Sequence, residues 1–376
     1  VSVVRVGLGT TMIEPGLSGG RVDGIGVYTD ALLRHLPRAG CAVSAYSYPP
    51  LRGGAAISAG SALPQSFEAA TLTDLLTPAA HRMHMPQDLF HVTDYRIVRM
   101  DCPVVATLHD ALPLKYPQWC NPRLRRAKNW MQVKATRKAD HVIALSHFAV
   151  DELVECFGVD PRRISVVPCG VDADWLAPCA ADAVAATLAT HGLRAGYFLF
   201  VGTLQPRKNV ERLLDAYLAL PVAVRAERQL VIVGSAGWRC EQLLRRLEGA
   251  RQNGAAVVWL NALAGATALR HVYAGAGVFV FPSLYEGFGI PVVEAFASGV
   301  PVVASNASSL PEVTQGAAVE VDPLDSAEIG AAMLALVRDD ALRARCVAHG
   351  RRRAAELTWD ATAIQTAAVY HSVLSH

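Results

Sequence analysis

Short apolar runs alternate along this chain with stretches of helical periodicity. Strand-like runs occupy 1–9, 41–48, 88–94, 139–146 and 162–172, and another opens at 102 and ends at His109-Asp110. A second series follows at 197–204, 229–237, 256–263, 278–282, 300–305 and 318–325. Most are continuously apolar rather than alternating, as in strands buried on both faces of a parallel sheet. Between them lie helices. Val27, Ala31, Leu32 and Leu36 form one face of a helix starting near Gly26, 147–158 follows the capping residue Ser146, and 210–220 is amphipathic. Pro291 suits a first helical position, the helix runs on through 292–298, and Gly299 stands just past its end. Repeated strand, helix, strand predicts a doubly wound α/β protein. The Ala-rich stretch 176–196 carries no motif and reads as a boundary. It separates domains at 1–178 and 194–357, with a terminal helical segment at 358–376. Residues 49–87 hold only a weak helix near 67–76.

A length of 376 residues suits two domains with well-formed cores, and 52% apolar with 18% charged residues excludes a disordered chain. The net charge of +2 gives no global field for nucleic acid. No apolar run approaches the length of a membrane span, and the chain opens on a strand rather than a signal peptide. The eight cysteines form neither CxxC nor a zinc spacing, which predicts reduced thiols in a cytosolic protein.

Candidate chemistry concentrates at 278–312. There a buried strand stops at Pro282, a loop carries Glu286, Gly287, Phe288, Gly289 and Ile290, and Glu294 lies in the first turn of the next helix. Gly287 and Gly289 allow close backbone approach to a ligand, and the helix N-terminus favours phosphate. Glu294 is placed to accept hydrogen bonds from two vicinal hydroxyls, and Glu286, nearer the mouth, to meet a sugar. Taken alone, two glutamates at this spacing read first as a solvated side chain beside a helix-dipole carboxylate.

Other loops at strand ends add to this. After 197–204, which includes Gly202, come Arg207 and Lys208 just before a helix. Two cations and a helix N-terminus make an anion clamp, although surface Arg-Lys pairs are common. The loop 10–24 holds Gly16, Gly19, Gly20 and Gly24, with Gly26 opening the helix. It suits a phosphate or sugar site, or a plain turn. His109 and Asp110 end an apolar strand, where such folds place ligand groups, or form an ordinary Asx-type turn. The predicted helix 121–139 carries Arg123, Arg125, Arg126, Lys128, Lys134, Arg137 and Lys138. It reads as a solvated basic face or as a patch for anionic lipid or a lipid diphosphate. Asp172-x-Asp174 follows a terminal strand and reads as linker, not as a metal site.

Taken as blocks, these segments resemble a known family. Glu286-GFGIPVV-Glu294 is similar to the Glu-x7-Glu motif of retaining GT-B glycosyltransferases of family 4. VGTLQPRKN resembles that family's diphosphate-binding segment, TLHD-xxP-xxYP its donor-site motif, and DGIGVYTDALL its first glycine loop, with Asp23 where a second glycine is often found. The resemblance implies two Rossmann-like domains facing a cleft, the first binding acceptor and the second donor, with the C-terminal helix crossing back to the first. It implies a hexosyltransferase in which Arg207 and Lys208 hold the donor diphosphate, Glu294 the ribose, and His109 and Glu286 the sugar. Gly24, Gly26, Gly202, Gly287, Phe288, Gly289 and Ile290 would line the nucleotide, with Ser308 and Ser309 beside its phosphates. Cations and backbone N–H groups stabilise the leaving diphosphate, so this chemistry requires no metal or other cofactor.

The blocks look most like bacterial mannosyltransferases of surface polysaccharide. That implies GDP-mannose as donor, a glycan or lipid-diphosphate acceptor, and a cytoplasmic enzyme at the inner face of the plasma membrane, touching lipid through its basic helix. UDP-glucose, UDP-GlcNAc or a deoxyhexose donor, or a non-catalytic nucleotide-sugar-binding protein, are the alternatives. A glycoside hydrolase using Glu286 and Glu294 would leave the anion clamp unexplained. A nicotinamide dehydrogenase would share the fold class, but GxGxxG is missing.

Overall fold

The computed structural model of the chain describes residues 3–18, 23–51, 57–58, 60–76, 82–120, 122, 125–263 and 265–375. They form two compact units, one of Val1–Gly170 with Trp359–His376, the other of Val171–Thr358. Among the described residues no helix is long and apolar enough to cross a membrane.

The first unit is built on a seven-stranded sheet of β1 (Val4–Gly9), β2 (Cys41–Ser47), β3 (Ser61–Ala62), β4 (Leu89–Val92), β5 (Val104–Leu108), β6 (His141–Ala144) and β7 (Ile164–Val166). Its order is β3-β2-β1-β4-β5-β6-β7, and every pairing is parallel. Each residue of β4 and β5 is buried, so both faces are covered and the runs are continuously apolar. Chain order reverses between β1 and β4, which opens a crevice outside their carboxyl ends. The helix Gly24–His35 follows β1, with Asp23 as its N-cap accepting from the Gly26 N–H at 2.9 Å. The expected basic helix spans Arg125–Thr136; Arg123 and Leu124 lie outside the described residues, as do Gly19 and Gly20.

The terminal helix Trp359–Leu374 completes this unit through polar as well as apolar contacts. Asp360 meets His35 Nδ1 at 2.6 Å, Thr362 Oγ1 donates to the Pro168 carbonyl at 2.8 Å, and Trp359 packs edge-on against Tyr28. Deeper in, the Tyr370 hydroxyl lies 2.6 Å from His91 Nδ1, and His91 Nε2 lies 2.8 Å from Thr107 Oγ1. Burial pushes the His91 imidazole down to about 3, so it is a neutral, fully hydrogen-bonded core group.

The second unit repeats the plan with β8 (Tyr197–Val201), β9 (Leu230–Val233), β10 (Val257–Leu260), β11 (Ala276–Phe281), β12 (Val302–Ser305) and β13 (Val319–Val321). The order is β10-β9-β8-β11-β12-β13, again parallel throughout, so the reversal falls between β8 and β11. Phe200 of β8 stacks on Phe281 of β11 with ring centroids 5.9 Å apart, which fixes these central strands against each other.

The division between units falls at Gly170 and Val171, earlier than the 176–196 stretch that composition suggested. Part of that stretch is the helix Ala181–Thr190, which packs on the helix Ala266–Ala274 of the second unit. Thr187 Oγ1 lies 2.7 Å from His271 Nδ1 there. The chain returns along the same border, where the Val171 N–H donates to the Leu357 carbonyl at 3.0 Å.

Candidate active site

Topology brings the second unit's candidate residues together. Parallel strands point their carboxyl ends the same way, so the loops after β8 and β11 emerge side by side at the reversal of strand order. The first loop forms a single 3-10 turn, Pro206–Lys208, ahead of the helix Val210–Ala219. Asn209, in the left-handed region at φ 59°, joins the two, and its side-chain amide donates to the Pro282 and Pro323 carbonyls at 2.9 and 2.6 Å. The second loop runs from Pro282 to the helix Ile290–Ala297. The Leu284 N–H donates to the Arg207 carbonyl at 2.7 Å, so the loops are also joined along their backbones.

Both cations converge on Glu286. Arg207 Nη1 donates to Glu286 Oε2 and to the Tyr285 carbonyl, each at 2.9 Å. Lys208 Nζ donates to Glu286 Oε1 at 2.5 Å and lies 4.9 Å from the centre of the Phe281 ring. The side chains of Lys208 and Glu286 are only 9% and 8% exposed, so these are desolvated charges whose contacts count far more than a surface pair would. Burial works to raise the Glu286 carboxyl, but the charges of Arg207 and Lys208 outweigh it and bring it to about 2. It is therefore ionised across the physiological range, and the cluster carries a surplus positive charge.

The Glu286 loop is held from behind by the turn after β12. Ser308 Oγ accepts from the Glu286 N–H at 3.0 Å. Ser309 Oγ donates to the Glu286 carbonyl at 2.9 Å and the Phe288 carbonyl at 3.1 Å. These two serines, expected beside phosphates, thus shape the loop itself. Gly287, Phe288 and Gly289 are buried within it. Gly289, at φ 111°, stands ahead of the helix, and a Cβ there would lie 2.7 Å from Leu310 Cδ2, so only glycine fits.

Glu294 sits in the following helix, half-buried, and accepts from the Tyr273 hydroxyl at 2.9 Å. Burial pushes its carboxyl up to about 7, partly opposed by that hydrogen bond. The two glutamates therefore differ sharply: Glu286 is fixed as an anion by its cations, whereas Glu294 titrates near neutrality. Sequence reading missed Tyr273, an inward-facing aromatic in the helix before β11 whose polar end shows only in three dimensions. Gly202, at φ 155°, is packed beside Phe200 and the Lys208 stem.

The remaining candidates lie in the first unit. His109 follows β5, is half-buried, and donates from Nε2 to the Thr93 carbonyl at 2.9 Å, with its ring edge-on to Tyr28. Burial lowers its basicity, opposed by that carbonyl. The bond fixes the tautomer, leaving Nδ1 as the acceptor nitrogen. Asp110 serves as a turn residue, its Oδ1 accepting from the Leu112 N–H at 3.0 Å. Gly24 is exposed and Gly26 buried in the first turn of their helix. Buried Glu14, in the loop after β1, accepts from the Ser58 N–H and hydroxyl at 2.8 and 2.7 Å and anchors that loop. Asp172 and Asp174 stand at the short helix Ala173–Leu176, and among the described residues no three metal-ligating side chains cluster.

Comparison with known proteins agrees with this geometry. Residues 22–175 match the family model "Glycosyltransferase Family 4", and residues 191–353 match "Glycosyl transferases group 1". The chain is 32% identical over 269 residues to an O-antigen chain mannosyltransferase B of Escherichia coli, covering 71% of this chain and 69% of that one. It is 31% identical over 294 residues to an MMP alpha-(1->4)-mannosyltransferase of Mycolicibacterium hassiacum, covering 74% and 68%. Among solved structures, a sucrose-phosphate synthase from Thermosynechococcus elongatus superposes with a TM-score of 0.76 at 22% identity over 99% of both chains. With both units matched and the fold shared, the chain belongs to glycosyltransferase family 4 and is a glycosyltransferase of the GT-B fold.

Proposed function

We propose that the enzyme transfers mannose from GDP-mannose, with retention of configuration, to a glycan or lipid-diphosphate-linked acceptor in the synthesis of a bacterial surface polysaccharide. The observation that carries this reading is the convergence of Arg207 and Lys208 on the Glu286 loop at the reversal of the second sheet. The choice of mannose rests on the mannosyltransferase relatives.

In this reading the diphosphate is taken by Arg207 and Lys208, and the ribose hydroxyls by ionised Glu294. Glu286 and His109 hold the transferred sugar. An acceptor hydroxyl oxygen bonds to C1 from the face the leaving group departs, the C1–O bond to phosphate breaks, and the hydroxyl proton ends on that phosphate. Charge grows on the diphosphate as the bond opens. Fixed cations at low exposure stabilise it without reorganising. With a lipid-linked acceptor the enzyme would work peripherally, at the cytoplasmic face of the membrane.

A panel of GDP-mannose, UDP-glucose, UDP-GlcNAc and dTDP-sugars, incubated with lipid-diphosphate acceptors and read by product mass, tests the reading. A mass gain of one hexose with GDP-mannose is expected. Absence of both transfer and thermal stabilisation with any guanosine donor overturns the GDP-mannose assignment.

A further inference from the structure

Glu294 is tied down at one oxygen only. The Tyr273 hydroxyl donates to Oε2 at 2.9 Å, while Oε1 meets no group among the described residues and reaches solvent. Tyr273 stands in the last turn of the helix before β11, and Glu294 in the helix after it, so the contact ties together the helices on either side of that strand in the chain.

The tyrosine is itself fixed. It is fully buried, Trp175 of the short helix Ala173–Leu176 packs edge-on to its ring with centroids 5.3 Å apart, and Phe279 of β11 lies tilted at 5.4 Å. With the ring locked, the freedom left to the hydroxyl is rotation of its proton. Its other acceptor, the Pro291 carbonyl, is 3.3 Å away, so the proton favours the nearer, charged carboxylate. When Glu294 is protonated that carbonyl still accepts, and the buried hydroxyl is never stranded.

No other charge acts on Glu294. Its own helix holds no second ionisable residue. On the elements packed around it, Arg270 Nη2 donates to the Asp174 and Ala177 carbonyls, His271 meets Thr187, and Arg353 Nε donates to the Val313 carbonyl. The carboxyl is raised by burial and lowered by Tyr273, with nothing else contributing.

We infer that Tyr273 is a positioning residue of the nucleotide site: its hydroxyl holds Glu294 Oε2, so that the carboxylate meets the ribose through Oε1. The inference rests on the proposed assignment of Glu294 to the ribose and adds the group that aims it. The tyrosine touches no ligand. It fixes the side-chain rotamer and favours the ionised form, the form that accepts from sugar hydroxyls.

Tyr273→Phe keeps the ring against Trp175 and Phe279 and removes only the hydroxyl. Two readouts on the whole protein test it: the carboxyl carbon resonance of Glu294 followed against pH, identified by its loss in Glu294→Gln, and titration with GDP and UDP at pH 7 and pH 9. The variant's carboxyl midpoint is expected to rise by about one pH unit, the scale of one hydrogen bond to a charged group. Nucleotide should then bind roughly fivefold weaker at pH 7 and within about twofold of wild type at pH 9, where both are ionised. In a Glu294→Gln background the same substitution should change affinity by less than about twofold, since the hydroxyl acts through the carboxylate. A midpoint no higher than wild type overturns the inference, as does an equal loss of affinity at both pH values and in both backgrounds, which marks a packing role. Equal wild-type affinity for the nucleotide and its 2′,3′-dideoxy analogue instead overturns the ribose assignment beneath it.

Discussion

In the proposed reading Glu286 competes with the donor diphosphate for the same two cations. Arg207 and Lys208 are the groups a diphosphate would seek, and both already hold this carboxylate. An arriving donor has to draw them away from it. Glu286→Gln is therefore expected to bind nucleoside diphosphate more tightly, by about tenfold on the scale of one charge-assisted hydrogen bond, while transfer falls because the sugar loses its carboxylate. Calorimetric titration and initial rates separate the two effects, and weaker binding in this variant would contradict the competition. Glu294 gives a pH prediction. Its carboxyl is raised to about 7, so it is protonated below that pH and ionised above it. If the anion is what grips the ribose, nucleotide affinity rises with pH through 7, falling roughly tenfold per unit on the acid side. The same raised value makes its contribution to folding stability decline as pH rises from the ordinary carboxylate range towards 7. Glu294→Gln should flatten the binding profile; a slope that persists in that variant assigns the titration to another group.

At the scale of elements, the loops after β8 and β9 are packed so closely that side chains are excluded. Gly234 stands at φ 144°, and a Cβ there would lie 2.1 Å from the Gly202 carbonyl oxygen. Gly234→Ala should cost about 2–4 kcal/mol and shift the Arg207–Lys208 turn, seen as a lowered unfolding midpoint together with weaker nucleotide binding. Wild-type stability in this variant would show that the contact relaxes freely. Elements of this kind were legible in the sequence where local signals agreed. The runs that became β8 and β11 are apolar and stop at Gly202 and Pro282, β12 opens just after Pro301, and the Ile290–Ala297 helix announced itself by Pro291 and Gly299. The two-residue β3 was invisible, because an exposed edge pair needs neither apolar residues nor alternation. The Ala181–Thr190 helix was missed for a related reason: its alanines show little contrast between faces, and its membership in the second unit depends on contacts with Ala266–Ala274. At the site, residue identities were readable but their pairing was not. Nothing local tells that Arg207 and Lys208 meet Glu286 across 79 and 78 positions of chain, or that Tyr273 caps Glu294.

For the molecule as a whole, the chain leaves the first unit at Gly170 and returns to it at Trp359. The last helix supplies Asp360, Thr362 and Tyr370 to partners in β4, the first long helix and the segment before the crossing. Ending the chain after Thr358 should thus unfold or loosen the first unit while leaving the second protected, and hydrogen exchange followed by unit would show it. Equal protection of the first unit with and without the helix would mean that its core is complete alone. The central claim concerns the second unit: its two cations hold the diphosphate of a sugar donor. The most direct measurement is titration of GDP and UDP into the wild-type protein and Lys208→Ala, with transfer rates measured alongside. We expect at least one nucleotide to bind the wild type, an affinity at least about tenfold weaker in the variant, and a rate lower by one to several orders of magnitude. Equal affinity and equal rate in a folded Lys208→Ala protein would contradict the account.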